Sequence, residues 1–518
     1  MNDFPILTLI TLTPLLGAAL IIGLGNDQKW LARKLAFGFS ALSLVFALLL
    51  YWAFNTASGQ LQFVETHEWI PTLGINYHLG ADGLSVLMVL LTALVVPMAM
   101  AVSFRIEERV SLHFALMLFL QAGLFGAFTA QNFFHWFLFY ELSLIPAFFL
   151  VKFWGGPRAN SAATQFFIYT MVGSVALLLA FLAIFRATGK FDFLALAELA
   201  RTGALQTALH AKLGWHGMAA ETVAGIVFCG ALLGFAVKVP LMPFHTWLPA
   251  TYAEAPTGTT MLLTGLMSKL GVYGFLRILL PIFPEQMRAL LTPLLWLAVV
   301  TIVFSACAAF AQRDLKRVLA YSSINHLGYC LLGLFAAAQA TGSDAHLAHE
   351  KAAALNGVLL QMFNHGLTAA ALFAFVGFLE QRAGGLRGLD DFGGLRQVAP
   401  VFCGLMGIAL FASLGLPGLG GFIGEFLIFK GAFPLAPWAT ALATAGLLVT
   451  AIFILTLLQR VFNGALNERW KALPDLTLGE RCIVVPAVAL MFLLGIWPQP
   501  VIALFNATVL QLVKHLTF

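Results

Sequence analysis

Uninterrupted apolar runs constrain this chain more than any other feature. A helix crosses the hydrocarbon core with about 20 consecutive apolar residues, and lipid accepts only helices or a closed barrel, because the backbone has no other hydrogen-bonding partner there. By that ruler the sequence offers fourteen helical spans: 4–24, 31–54, 84–104, 112–130, 133–153, 161–186, 222–253, 257–281, 290–311, 314–336, 352–380, 401–433, 438–463 and 482–505. The first run, MNDFPILTLITLTPLLGAALIIGLG, has no basic leader and exceeds the apolar core of a signal peptide, so it reads as a retained span. Of the 518 residues, 60% are hydrophobic and 10% charged, against about 25% charged in soluble chains. Mean hydropathy is +0.91. A water-facing globular surface is excluded, and the expected fold is an all-α polytopic membrane protein.

Charge fixes the orientation. Loops on one side hold 17 of the 28 Lys and Arg residues, loops on the other hold 7, and Lys238, Lys269, Arg277 and Lys430 lie inside spans. Basic loops face the cytoplasm, which puts both termini on the side of the membrane away from it. The net charge of +5 reflects those loops. No basic patch with interleaved aromatics suggests nucleic acid, so the lipid bilayer is the expected surrounding partner. The five cysteines (229, 307, 330, 403 and 482) have no CxxC or close pair, a poor basis for an iron–sulfur or zinc site, so no metal or cofactor is expected in this chain. With no Gly/Ser linker, residues 1–518 read as one membrane domain. It divides into three N-terminal spans (1–111), a first group (112–281), a second group (290–463) and a C-terminal segment (482–518). The loop 187–221 has apolar and polar residues at helical spacing, which suggests surface helices. Residues 464–481 form the longest polar connection on the basic side.

Ionisable side chains inside a bilayer are costly and mark ion or proton routes. Glu141 lies two residues from the centre of its span, Lys238 and Lys269 at the centres of theirs, and His326 and His365 within one residue. At 1.5 Å per residue these groups share a layer, which predicts a polar axis parallel to the membrane plane. Two spans are interrupted near charges. The seventh carries Pro240, Pro243 and Pro249, with Pro256 just beyond its end; the twelfth carries Pro417 amid Gly415, Gly418, Gly420 and Gly421. Proline removes a donor and clashes with the preceding turn, and broken helices at mid-membrane line cavities in repeat-built transporters. Glu141 and Lys238 are 97 residues apart, His326 and Glu425 99. An odd number of spans separates corresponding helices, so two five-helix repeats of inverted direction are expected.

These residue types suit proton transfer. Burial and a neighbouring carboxylate act oppositely on a lysine. A change of a few ångströms between Glu141 and Lys238 shifts their interaction by a few kcal/mol at an effective dielectric of about 20, enough for Lys238 to hold a proton in one state and release it in another. Lys269 is then the recipient, and His326 and His365 relay protons with water towards Glu425. Each residue also has a plainer reading. Glu141 and Lys238 can form a static ion pair, Glu425 can cap a half-helix, His326 and His365 can be interhelical contacts, and His245 can satisfy carbonyls freed in PFHTWLP. Asp82 and Asp314 read as N-caps.

The stretches HLGADGLSVLMV (78–89), FFHWFLFYELSLIPAFFL (133–150), PFHTWLPATYAEAPTGTTMLLTGLMSKLGVYGFLR (243–277), AYSSINHLGY (320–329) and GLPGLGGFIGEFLIFKGAF (415–433) closely resemble the antiporter-like membrane subunits of respiratory complex I. Glu425 resembles the acid of one branch, whose siblings carry lysine there. The resemblance implies fourteen helices with two inverted five-helix repeats and a role in proton translocation, with homologous antiporter-like and smaller membrane subunits as partners. It also implies that NADH, FMN, iron–sulfur clusters and quinone belong to other subunits. Carried over by position, the ion pair falls on Glu141 and Lys238, the central lysine on Lys269, the terminal acid on Glu425, and relay histidines on His245, His326 and His365. Lys430 departs from the pattern, in a place expected to be apolar. Subunits of multisubunit Na⁺/H⁺ antiporters and membrane-bound hydrogenases share these motifs, and neighbouring genes distinguish them. An autonomous solute transporter fits less well, because its broken helices would need discriminating polar groups where this chain has Gly, Pro and aliphatics.

Overall fold

Each apolar run closes its own backbone hydrogen bonds and folds as a helix, as hydrocarbon requires. The computed structural model describes residues 4–214, 217–340 and 345–516. Helices α1 (Ile6–Ile22) and α2 (Lys29–Ala53) precede strands β1 (Gln62–Ile70) and β2 (Ile75–Ala81). Then come α3 (Gly83–Val102), α4 (Val110–Thr129), α5 (Phe133–Trp154), α6 (Ala159–Thr188), α7 (Phe193–Arg201), α8 (Ala204–Leu213), α9 (Ala220–Lys238) and α10 (Trp247–Glu254). The remainder comprises α11 (Thr257–Ile282), α12 (Pro284–Phe310), α13 (Leu315–Gln339), α14 (Ala345–Arg382), α15 (Pro400–Leu414), α16 (Gly420–Leu435), α17 (Pro437–Val461), α18 (Leu478–Ile496) and α19 (Gln499–His515). Twelve helices among the described residues are long and apolar enough to cross a membrane, while α1 and α15 are shorter apolar helices. The chain is an all-α polytopic membrane protein with one small sheet.

Burial sorts the helices. The most apolar stretches of α11 and α13 are 94% buried and that of α14 100%, against 28% for α2 and 33% for α17. The three helices that carry Lys269, His326 and His365 therefore form the centre, and α2 and α17 present their apolar residues outwards.

Three features differ from the sequence expectation. An antiparallel hairpin, β1 with β2, joins α2 to α3; a search tuned to 20-residue runs passes over such short strands. Its Glu65 carboxylate accepts from Leu7 N (2.8 Å) and Thr8 N (3.2 Å), so the hairpin caps the open N–H groups of α1, where the helix dipole favours an anion. The last span, expected over 482–505, is two helices: α18 ends at Ile496, and Pro500 starts the first turn of α19, a position where its missing N–H costs nothing. Helix α14 begins before the expected residue 352, so its first turns project beyond the apolar run.

Both interrupted spans are broken. Residues 239–246 separate α9 from α10, and 415–419 separate α15 from α16. Basic side chains hold the free end of α10: Arg387 Nη1 donates to Ala253 O (2.6 Å) and Lys316 Nζ to Ala255 O (3.3 Å). Cations at a helix C-terminus are favoured by its dipole. Glu254 in the same turn accepts from Arg158 N (3.0 Å).

Candidate functional site

The central site starts from a widened turn. Residues Leu263–Met267 of α11 form a π turn in which Ser268 N donates to Leu263 O (3.2 Å). The carbonyl of Thr264, released from the α-helical pattern, accepts from Lys269 Nζ at 2.6 Å. Lys269 is fully buried, and its Nζ lies 2.8 Å from His365 Nδ1. At that separation one group donates and the other accepts, so the two cannot both be cationic. A proton arriving at either changes the other.

From His365 the polar contacts run on. Its ring centroid is 5.0 Å from that of His326. His326 Nδ1 lies 3.1 Å from Glu425 Oε1 and 3.3 Å from Gln361 Nε2, and its Nε2 lies 3.1 Å from Ser413 Oγ. Gln361 Nε2 also donates to Glu425 Oε1 (3.2 Å). This arrangement tolerates either state of His326: protonated at Nδ1 it donates to Glu425, and unprotonated there it accepts from Gln361. All four ionisable groups are less than 9% exposed. The structure thus brings Lys269, His365, His326 and Glu425 into one row across α11, α14, α13 and α16.

The other candidates stand apart. Lys238 is the last residue of α9, immediately before the break, with 2% exposure and its Nζ 4.6 Å above the Tyr140 ring. Neither Lys238 Nζ nor Glu141 Oε1 has a hydrogen-bond partner, and no ion pair within 4.0 Å joins them among the described residues. Between Lys238 and Ser268, the neighbour of Lys269, lies a thin void of about 190 Å³ lined by Phe166, Trp247, Tyr252, Leu263 and Met267, too narrow for a water molecule. Glu141 is partly exposed, on the face of α5 that also shows Leu138 and Ile145 outwards. His245 sits in the break with 8% exposure, its ring 5.9 Å from Phe304 of α12 and its Nδ1 unpartnered.

Sequence reasoning missed Gln361, Ser413 and Thr264. Gln361 had a signal: it precedes His365 by four residues, one turn on the same helix face. The other two depend on a helix break and a π turn that spacing does not announce. Asp82 caps α3 through Ser85 N (3.0 Å) and also accepts from Arg277 Nη2 (2.6 Å). Asp314 caps α13 through Arg317 N (3.0 Å) and accepts from Arg387 Nε (2.6 Å). Lys430 Nζ pairs with Glu350 Oε2 at 2.6 Å rather than with Glu425.

Comparison with known proteins places these features in a wider group. Residues 130–452 match the family model described as "NADH:quinone oxidoreductase/Mrp antiporter, TM". A Rhodobacter capsulatus protein, NADH-quinone oxidoreductase subunit M, is 36% identical, with 98% of this chain and 96% of that protein covered. A chain of the Thermus thermophilus respiratory complex I with bound NADH superposes with a TM-score of 0.83 at 29% identity, covering 99% of this chain and 100% of that one. A chain of the Mrp complex from Dietzia sp. DQ12-45-1b shares the fold, with a TM-score of 0.80 at 20% identity over 99% of both chains.

Proposed function

The chain belongs to the family of NADH:quinone oxidoreductase and Mrp antiporter membrane subunits, and from that premise we propose that it moves protons through its buried row of acids and bases while quinone is reduced elsewhere in a proton-pumping NADH-quinone oxidoreductase. Similarity over nearly the whole chain to relatives called subunit M, at 36% and 31% identity, favours that branch over the Mrp antiporters, where the likeness is one of fold. A cation–antiporter role is the second reading.

The observation that carries the proposal is the unbroken sequence of contacts from Lys269 through His365 and His326 to Glu425. In this reading a proton delivered to Lys238 crosses the narrow void when water enters it, and Lys269 receives it. His365 takes the proton at Nδ1, and His326 passes it from Nδ1 to Glu425. Glu141 governs whether Lys238 keeps its charge. His245, beside the break, serves as a further relay near α12.

Fourteen spans follow if α1 counts as one and if α9 with α10, and α15 with α16, each make one crossing. The two groups around the breaks are then inverted repeats, and both termini face the non-cytoplasmic side of a bacterial inner membrane. Glu141 is partly exposed on an apolar face of α5 and would be costly against lipid; a neighbouring membrane subunit covering α5 removes that cost. Electron transfer from NADH, with its flavin, iron–sulfur clusters and quinone, belongs to other subunits.

Lys238→Ala and Glu141→Ala in the assembled complex test the proposal. Both are expected to reduce proton pumping and coupled quinone reduction while the complex still assembles. Pumping at the wild-type rate in either variant rejects the role assigned to that residue.

A further inference from the structure

We infer that Asp82, paired with Arg277 at the floor of a cavity at the hairpin end of the molecule, is the group through which the central lysine releases protons outwards, with Arg277 as its gate. The inference rests on the proton-translocating reading and adds an outlet to it.

The outlet is built along α11. Lys269, Tyr273 and Arg277 follow at four-residue spacing, so they lie on neighbouring faces of successive turns, about 6 Å apart along the axis. Tyr273 is fully buried; its hydroxyl donates to Phe128 O (3.1 Å) and accepts from Arg277 Nε (3.3 Å). Arg277 Nη2 donates to Asp82 Oδ1 (2.6 Å) and to Ser85 Oγ (3.3 Å). Arg277 lies in a second π turn, Phe275–Leu279; such turns recur at functional sites, where they re-aim side chains. Asp82 and Arg277 then face a cavity of about 680 Å³, with His78, Glu198, Arg201 and Gln511 on its walls. His78 Nδ1 is itself 2.9 Å from Asp192 Oδ2, so titratable groups continue towards the surface.

Capping α3 does not by itself call for a carboxylate, since Ser or Asn serve an N-cap as well. A buried ion pair is also a weak stabiliser compared with apolar packing. The seam beside Glu425 offers less. Helices α14 and α16 touch backbone to backbone on its hairpin side: a Cβ on Gly357 would lie 2.5 Å from Ile428 N, and one on Gly431 2.4 Å from Ala354 N. Among the described residues, the ion pair on that seam is Glu350 with Lys430, at its far end.

The step is a plain proton transfer. The Lys269 ammonium gives a proton through water to the Tyr273 hydroxyl oxygen, and the hydroxyl turns its own proton away from Phe128 O and gives it, again through water, to the Asp82 carboxylate. The neutral acid holds Arg277 weakly, the guanidinium swings away, and Asp82 loses the proton to cavity water. Re-formation of the pair places a positive charge against protons returning from outside.

The test uses the complete complex in proteoliposomes, with pumping rates normalised to NADH oxidation by a soluble artificial acceptor. Asp82→Asn keeps size and capping ability and Arg277→Gln puts a shorter neutral donor opposite it, so both charges go together and a purely structural pair is replaced without an orphaned charge. The expected result is pumping and coupled quinone reduction reduced to the level of Lys238→Ala, in complexes that contain this chain in normal amount. Wild-type pumping in the double variant overturns the outlet. Tyr273→Phe, which keeps the ring against Phe128, is expected to slow pumping severalfold, and a wild-type rate there overturns the outlet equally, including when the double variant does not assemble. Lys238→Ala is measured alongside. If it pumps normally the translocation reading itself fails, whereas a slow Lys238→Ala beside a fast double variant rejects only the outlet.

Discussion

Two glycines in the second break allow the Glu425 geometry to be tested against backbone strain alone. Gly415 and Gly418 have φ of +80° and +91°, so alanine at either costs about 1–2 kcal/mol for the left-handed conformation. The surroundings differ. A Cβ at Gly418 meets nothing within 4 Å, whereas one at Gly415 would lie 2.6 Å from Glu425 Oε2. Ordinary contact begins near 3.4 Å, so Gly415→Ala pushes the carboxylate by about 0.8 Å, in line with the displacements overpacking forces. His326 Nδ1 at 3.1 Å and Gln361 Nε2 at 3.2 Å both meet Oε1, 4.0 Å from that Cβ, so turning the carboxylate to relieve Oε2 weakens both contacts. Both variants should lose similar stability in thermal unfolding of the purified complex. Gly415→Ala alone should also lose pumping, by about tenfold if breaking a charge-assisted hydrogen bond raises the transfer barrier by about 1.4 kcal/mol. The assay is NADH-driven acidification of proteoliposomes. Equal pumping by Gly415→Ala and Gly418→Ala would refute the assignment of Glu425 to the transfer row.

Two further outcomes follow from contacts outside that row. Glu350→Gln combined with Lys430→Met removes a pair that sits away from Glu425, and pumping should stay within about twofold of wild type, which corresponds to less than about 0.5 kcal/mol in the barrier; a loss comparable to that of Lys238→Ala would place Lys430 in the route. At the hairpin end, burial raises the Asp192 carboxyl pKa, but hydrogen bonds from His78 and from Ala195 N outweigh it and hold the pKa below the usual carboxylate value. A depressed folded-state pKa gives stability that is complete above the unfolded value of about 4 and fades as pH falls through the folded one. Amide exchange across α7, corrected for intrinsic rate, should therefore be flat from about pH 7 to about 5 and accelerate only in stronger acid. Asp192→Asn should make that profile flat throughout.

Most of the membrane architecture was legible because hydrocarbon imposes a single ruler on length and composition. The two breaks were legible for a similar reason, since Pro240, Pro243 and the glycines around Pro417 leave the helix few ways to continue. The hairpin was not. ETHEWI and INYHLG alternate weakly and lie where a span search sees only a polar gap, and their register depends on pairing with each other and on the Glu65 contact to α1. In the site, Lys269, His326, His365 and Glu425 were readable as candidates from their types and places along the helices, but their linkage was not. It needs a π turn that frees one carbonyl, a glutamine amide that serves two neighbours, and a serine at the end of α15. Arg277 shows the same limit from the other side. Its charge was conspicuous in a span, yet its partner Asp82 lies 195 residues away, and only the packing of α3 against α11 joins them.

The two halves of the polar system are not equally settled, and that inequality bears on mechanism. From Lys269 to Glu425 every group has a partner at hydrogen-bonding or ring-contact distance. In the other half, Lys238 Nζ and Glu141 Oε1 are buried without a hydrogen bond; the lysine's one close contact described above is the Tyr140 ring at 4.6 Å, and a buried charge without a hydrogen-bonded partner is costly. The void beside Lys238 is lined by aromatic and aliphatic side chains and excludes water, so that cost is not relieved by solvent. Any change that gives these groups a hydrogen-bonded partner or removes the charge lowers that cost: closure of Glu141 on Lys238, loss of the lysine proton, or water entering between Trp247 and Met267. Each of these changes moves a proton or opens its path. Meanwhile α10 is fixed at its far end by Arg387, Lys316 and Arg158, so relief comes at the break between Lys238 and Trp247 rather than by release of the half-helix. On the proposed reading, the charge without a hydrogen bond next to the broken helix is where driving force enters, and the connected row beyond Lys269 carries the proton on.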